Sequence, residues 1–213
     1  MKQWAVIPMK PLNDAKSRLS TVLSDQERKA LVIALFKHTL DQFSTIHKFD
    51  GLSVITADPV LAGIARSDDV EVFEETEPSN LNHSLQAAMP FFIKKKVNSL
   101  LVLPGDLPYI NTRVLIDMEH EMEKSNLLMI APDQHLSGTN ALFFNPLKKM
   151  EFFFGEHSFI KHIENGRAAK YSIKLYFADA LKMDIDTPED MLQHQKILNY
   201  RLGKPDQDVE ETA

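Results

Sequence analysis

The chain has 213 residues, with 24 Lys plus Arg against 30 Asp plus Glu, 44% hydrophobic residues and 25% charged residues. That length corresponds to about 1.4 domains of ordinary size, so one compact domain with at most an appendage is expected, and the composition excludes disordered, collagen-like and coiled-coil classes. A formal net charge of −6 provides no whole-protein basic field for nucleic acid, and the absence of cysteine removes disulfide frameworks, thiolate zinc sites and cysteine nucleophiles, as suits a cytoplasmic protein.

At the N-terminus Lys2 precedes only a short apolar run, Trp4 to Met9, too brief for a secretory core or a membrane span. Within it Gln3 to Pro8 reads as a strand buried on both faces. Ser24-Asp25-Gln26-Glu27 is a capping-box signature, and Ile33, Phe36, Leu40 and Phe43 follow at helical spacing, which predicts a helix over about residues 25–43. Further on, strands are expected at 52–56, 70–73, 99–103, 127–131 and 141–144. Helices are expected at 59–65, 82–95, 111–123, 157–165 and 188–199, the last with Thr187 as cap and Pro188 in its first turn. Strands alternating with helices imply right-handed crossovers, a mostly parallel sheet and a three-layer α/β/α domain over residues 1–200. From Leu202 the composition turns polar and acidic, so residues 201–213 read as a loose tail. Lys94-Lys95-Lys96 closes a helix and complements its dipole, which is a solvated face rather than a nucleic-acid patch.

In an open α/β sheet ligands bind beyond the carboxyl ends of the strands. After the first strand, Pro8 leads into a glycine-free loop carrying Lys10, Lys16 and Arg18, cations placed where a nucleotide's phosphates would be neutralised, although three exposed cations also describe an ordinary loop. Neither GxxxxGK(S/T) nor GxGxxG occurs. After the fourth strand comes Pro104-Gly105-Asp106-Leu107-Pro108, a carboxylate in a Pro/Gly-bounded turn that suits magnesium, and equally a common turn residue. Asp184 and Asp186 alternate along an extended segment and therefore share one side; Asp186 is taken as the second metal ligand, while Glu189 and Asp190 complement a helix N-terminus. Ser137-Gly138-Thr139-Asn140 and the segment Phe154-Gly155 to Ser158-Phe159 supply hydroxyls, an amide and glycine N–H groups fit to hold a small phosphorylated acid. No GxSxG elbow supports Ser158 as a nucleophile, and His157 and His162 lack the spacing of a helical metal pair.

Taken together, Val6-Ile7-Pro8-Met9-Lys10, Ala15-Lys16-Ser17-Arg18-Leu19, Leu81-Asn82, Pro104 to Pro108, Gly138-Thr139-Asn140-Ala141-Leu142, Phe154-Gly155 with Ser158-Phe159 and His162, and Asp184 to Asp190 resemble the 2-phospho-L-lactate guanylyltransferase family over about residues 4–195. The resemblance implies a Rossmann-like nucleotide-diphospho-sugar transferase (GT-A-like) fold. It also implies a magnesium-dependent reaction in which 2-phospho-L-lactate, phosphoenolpyruvate or 3-phospho-D-glycerate attacks the α-phosphorus of GTP with loss of pyrophosphate, a step in making the deazaflavin coenzyme factor 420. Carried over by position, Asp106 and Asp186 would hold magnesium, with Lys16, Arg18 and Asp106 catalytic. Pro8, Lys10, Lys16, Arg18, Asn82, Pro104 and Gly105 would contact the nucleotide, and Thr139, Asn140, Gly155 and Ser158 the acid. The family usually has glycines where this chain has Ser137 and His157.

Two rivals share parts of this pattern. Sugar-, molybdopterin- or isoprenoid-directed nucleotidyltransferases share the aspartates but open on a glycine-rich loop absent here. A silent nucleotide-binding module would have no need of paired buried carboxylates facing a cationic loop. The sequence leaves open a homodimer and a hand-over of product to a downstream transferase; neither nucleic acid nor a membrane is an expected partner.

Overall fold

Six consecutive buried residues form β1 (Gln3–Pro8), which is paired in parallel on both sides within a seven-stranded sheet. The computed structural model describes residues 1–46, 48–75, 80–121 and 126–202. The other strands are β2 (Gly51–Thr56), β3 (Glu71–Glu74), β4 (Ser99–Val102), β5 (Leu127–Pro132), β6 (Thr139–Phe144) and β7 (Ser172–Leu175), in the order β3-β2-β1-β4-β6-β5-β7. β6 runs antiparallel to both of its neighbours, β4 and β5; the remaining pairs are parallel. The mixed, mostly parallel α/β architecture inferred from the sequence is therefore the one observed. Between β1 and β4 the order reverses, and such a switch point opens a crevice at the carboxyl ends of the two strands.

The helices are α1 (Asp25–Ser44), α2 (Pro59–Ser67), α3 (Leu81–Lys94), α4 (Thr112–Glu121), α5 (Ser158–Ala168), α6 (Asp179–Lys182), α7 (Pro188–Gln193) and α8 (Gln195–Arg201). Strand alternation sorts the core into two layers. Ala5, Ile7, Val54, Leu101 and Phe143 face α1, α2 and α4, whereas Trp4, Val6, Ile55, Leu100 and Phe144 face α3 and α5. The helix expected over 25–43 starts at the capping box, with Ser24 accepting from the Glu27 N–H and Glu27 accepting from the Ser24 N–H.

Two of these elements depart from expectation. β7 was not foreseen because its four residues, Ser-Ile-Lys-Leu, are half polar and lie at the sheet edge, where Lys174 suits solvent. The helix over 188–199 breaks at His194, whose ring is bonded to Tyr109 Oη. α4 follows its expected start, but the expected end at 122–123, like the tail from 203 onward, lies outside the described residues. Among the described residues no helix is long and apolar enough to cross a membrane.

A third apolar cluster underlies the functional rim. Leu19 and Ile185, both fully buried, pack with Leu31 and Leu35 of α1 and Leu198 of α8. Ile185 sits between Asp184 and Asp186, so burying it turns the two carboxylates outward. Ile185→Ala is expected to lower stability by about 3 kcal/mol, the usual range for emptying a buried aliphatic site, read from denaturant unfolding midpoints.

Candidate active site

The loop after β1 is held down before it delivers its cations. Met9 N–H donates to Ile55 O at 2.8 Å, and Leu12 N–H donates to Asp58 Oδ2 at 2.8 Å. The other oxygen of Asp58 caps α2 by accepting from Val60 and Leu61 N–H, so one buried carboxylate joins loop and helix. Asp58-Pro59 is a helix-start signal in the sequence, but its second role, pinning residue 12, is set by tertiary structure.

Lys16 then adopts a left-handed backbone, φ 54, ahead of a single 3-10 turn at Ser17–Thr21 whose Leu19 is buried. A non-glycine residue held there is strained, and such strain persists where the surroundings fix the residue. Its side chain is 4% exposed, and Nζ lies 2.5 Å from Asp106 Oδ2 and 2.8 Å from Asp186 Oδ1. Asp106 arrives on the turn after β4. Gly105 lets that turn cross β1 closely, since a Cβ there would stand 2.5 Å from Met9 Sδ and 2.9 Å from Ile7 Cγ2. The lysine thus stands between the carboxylates, 90 and 170 residues away in sequence. Three residues after Asp106, Tyr109 Oη meets His194 Nδ1 at 2.6 Å, which joins the Asp106 loop to the α7–α8 junction.

The electrostatics follow from this geometry. Burial acts to discharge Lys16, but Asp106 and Asp186 overcome it and hold the ammonium charged well above the ordinary lysine range. At Asp186 burial opposes ionisation, and the charge and hydrogen bond of Lys16, with Arg18 and Lys10 farther off, keep it below the usual carboxylate range. Asp184 is pushed up to about 6, by burial first and then by Asp186 and Asp106. Lys10 and Arg18 are exposed and face this acidic group through solvent.

A second group lies on the same rim. Because β6 is antiparallel, its first residues, Thr139 and Asn140, sit beside the carboxyl ends of β4 and β5. Asp133 shapes the preceding loop, accepting from His135, Ser137 and Gly138 N–H at 3.1, 2.9 and 2.8 Å. Ser137 O accepts from Phe159 N–H, tying that loop to the first turn of α5. Gly155 has φ 114 and His157 φ 57, both left-handed, so the glycine usual at the position of His157 fits the backbone found here. Ser158 is 1% exposed, and its Oγ has no hydrogen-bond partner among the described residues. Thr139 Oγ1 contacts His162 Nδ1 at 3.0 Å.

Two residues expected to touch ligands have their amides engaged elsewhere. Asn82 exchanges both hydrogen bonds with the backbone of Phe154, at 3.0 and 2.7 Å, and so braces the loop that carries Gly155. Asn140 donates to Leu181 O at 2.8 Å, next to a one-residue slip in the β5–β6 pairing. From Leu181 the chain reaches Asp184 in three residues, at most about 10 Å of backbone, so the acidic group and the hydroxyl group lie near each other on one rim. Pro8 ends β1 and half-buried Pro104 follows β4, both on this rim.

Among the described residues, no three acidic or histidine side chains form a ready-made metal cage. The donor set nevertheless suits magnesium, which takes one or two carboxylates and completes its shell with phosphate oxygens and water. Asp106 and Asp186 each give one oxygen to Lys16, a cation already resident between them.

A buried lysine paired with two half-buried carboxylates at the switch point of a mixed α/β sheet, with hydroxyl donors on the same rim, fits the class of nucleotidyltransferases. The model of the "Guanylyl transferase CofC like" family matches residues 3–198, and the chain belongs to that family. It is 30% identical over 192 residues to a phosphoenolpyruvate guanylyltransferase of Sphaerobacter thermophilus, covering 90% of this chain and 91% of that one. A 2-phospho-L-lactate guanylyltransferase of Methanosphaera stadtmanae is 29% identical over 189 residues, 87% of this chain and 80% of the relative. A 3-phospho-D-glycerate guanylyltransferase of Colwellia psychrerythraea is 29% identical over 191 residues, 90% of each chain. In fold, a solved structure from Desulfovibrio desulfuricans described as a nucleotide-diphospho-sugar transferase superposes with a TM-score of 0.72 at 12% identity, covering 96% of this chain and 99% of that one.

The raised Asp184 value sets a pH dependence. Its folded value of about 6 exceeds the unfolded 3.8, so the folded protein binds the extra proton between those values. The group therefore lowers stability as pH rises through that window, most fully above it. Asp184→Asn in metal-free buffer is expected to raise the thermal unfolding midpoint at pH 8, with the gain fading as pH falls to about 4.

Proposed function

We propose that this enzyme transfers the guanylyl group of GTP to a phosphorylated three-carbon acid, releasing pyrophosphate, with magnesium as cofactor, and that its product leads toward the deazaflavin coenzyme implied by the sequence resemblance. The observation that carries this reading is the Lys16–Asp106–Asp186 cluster at the β1–β4 switch point. The acid's phosphate is already an anion at neutral pH, so an oxygen of it attacks the α-phosphorus directly. The bond from that phosphorus to the bridging oxygen breaks, and pyrophosphate leaves with the electron pair. Alignment and charge stabilisation are what such a reaction asks of a protein, and no nucleophilic side chain or general base is required.

Each group in the crevice has a part in that scheme. Asp106 and Asp186, with Asp184 beside them, would hold magnesium, which supplies positive charge at the α-phosphate. Lys16 fixes the orientation of the carboxylates, and exposed Arg18 and Lys10 meet the triphosphate. Pro8, Pro104 and Gly105 present backbone to the nucleotide, and Asn82 shapes its pocket by bracing Phe154. Thr139, Ser158 and the left-handed backbone at Gly155 receive the acid, with Asn140 supporting them through Leu181. The names of the three relatives support a phosphorylated three-carbon acid as acceptor.

Pyrophosphate release is measured with magnesium, each nucleoside triphosphate and each of the three acids. Release with GTP and one acid is expected; release with another nucleotide only, or with no acid, removes the proposal. Asp106→Asn is expected to leave the fold intact while slowing turnover on the order of 10²–10³-fold, about 3–4 kcal/mol of transition-state stabilisation. Near-normal turnover in that variant would remove the metal assignment.

A further inference from the structure

We infer that His162 is a positioning residue that fixes the direction in which the Thr139 hydroxyl donates, and thereby orients the anion receptacle formed by Thr139 and Ser158. The inference deepens the acid-binding reading above and rests on it. His162 is 0% exposed on α5, walled by the rings of Phe154 and Phe153 at centroid distances of 4.9 and 6.2 Å. Burial pulls its pKa down to about 4, so the ring is neutral at physiological pH.

A neutral imidazole carries one proton, and its neighbours decide which nitrogen holds it. Phe153 N–H can only donate, and it points at Nε2 from 3.1 Å. Nε2 is therefore the acceptor, and the proton sits on Nδ1. Nδ1 faces Thr139 Oγ1 at 3.0 Å, so the ring donates and the hydroxyl accepts. A hydroxyl that has accepted from one side has its own proton left for another acceptor. A protonated ring would set N–H against the N–H of Phe153, so the arrangement admits only this tautomer.

Ser158 supplies the second donor. It stands four residues before His162, one turn away on the same face of α5, and its hydroxyl is enclosed with no protein partner among the described residues. A buried hydroxyl without a partner costs stability unless a ligand completes it. With Thr139 held as a donor against His162, on the helix face that also carries Ser158, the two hydroxyls suit the oxygens of a phosphate or carboxylate. The backbone of Phe153 is thus linked through His162 and Thr139 to the bound acid.

The test uses His162→Leu, which removes both hydrogen bonds, and His162→Asn, whose amide nitrogen can replace Nδ1 as donor to Thr139. His162→Leu is expected to raise KM for the acid about tenfold, the effect of one oriented hydrogen bond, with KM for GTP within about twofold. His162→Asn is expected to recover most of that loss, and His162→Leu added to Thr139→Val to cost little more. Nitrogen-15 NMR of the wild-type imidazole at pH 7 reads the device without turnover and should show a neutral ring protonated on Nδ1. A proton on Nε2, a charged ring, equal losses for acid and GTP, or His162→Asn no better than His162→Leu would overturn the inference. If the wild type releases no pyrophosphate, the guanylyl-transfer reading fails separately. The His162 inference is then decided by the tautomer and by titrating phosphoenolpyruvate into wild type and both variants.

Discussion

One ammonium group, that of Lys16, organises the rim of this protein. Three carboxylates, from Asp106, Asp184 and Asp186, influence one another there, and like charges brought out of bulk water repel strongly. The lysine gives two of them a shared partner and fixes which way each points. Such a cluster adds little net stability, because desolvation offsets most of the attraction, but it specifies geometry. The apolar residues beneath supply the free energy: Leu19 anchors the turn that follows Lys16, and Ile185 anchors the segment between the aspartates. The polar arrangement is thus a consequence of where two aliphatic side chains are buried.

The sheet explains why chemically different groups meet. Parallel strands deliver their following loops to one rim, which accounts for Lys16 after β1 and Asp106 after β4. A further parallel strand beside β4 would bring its first residues to the opposite rim. By running antiparallel, β6 places Thr139 where β4 ends and so sets hydroxyl donors beside the acidic cluster. Asn82, Asp133 and Asn140 then serve the crevice indirectly, by holding backbone.

The buried strands were legible in the sequence because continuous apolar runs bounded by proline, glycine or charge leave few alternatives, and observed ends fall close to those expected. The capping box at Ser24 and the Thr187-Pro188 start were legible for the same local reason. Asp106 could be placed by its position after a strand, and Asp186 by its alternation with Asp184 just ahead of the Thr187-Pro188 helix start. That Lys16 lies between them could not, since it depends on a left-handed residue and on contacts spanning 90 and 170 positions. Asn82 and Asn140 were expected at the ligands from the family resemblance, and what the sequence could not show is that each amide also holds backbone, Asn82 at Phe154 and Asn140 at Leu181. The break at His194 reflects a bond to Tyr109 that helical periodicity cannot report.

The burial of Ile185 and Leu198 against α1 also bears on how the protein comes into being. A ribosome releases the N-terminal portion first, and domains begin to organise as they emerge. The basic turn and α1 are made early, yet their acidic counterpart and the aliphatic plug that seats it come from residues 184–198. Most of the sheet can pair while the site still lacks one side, so a nascent chain has no means of acting on a nucleotide until residues 184–198 have emerged.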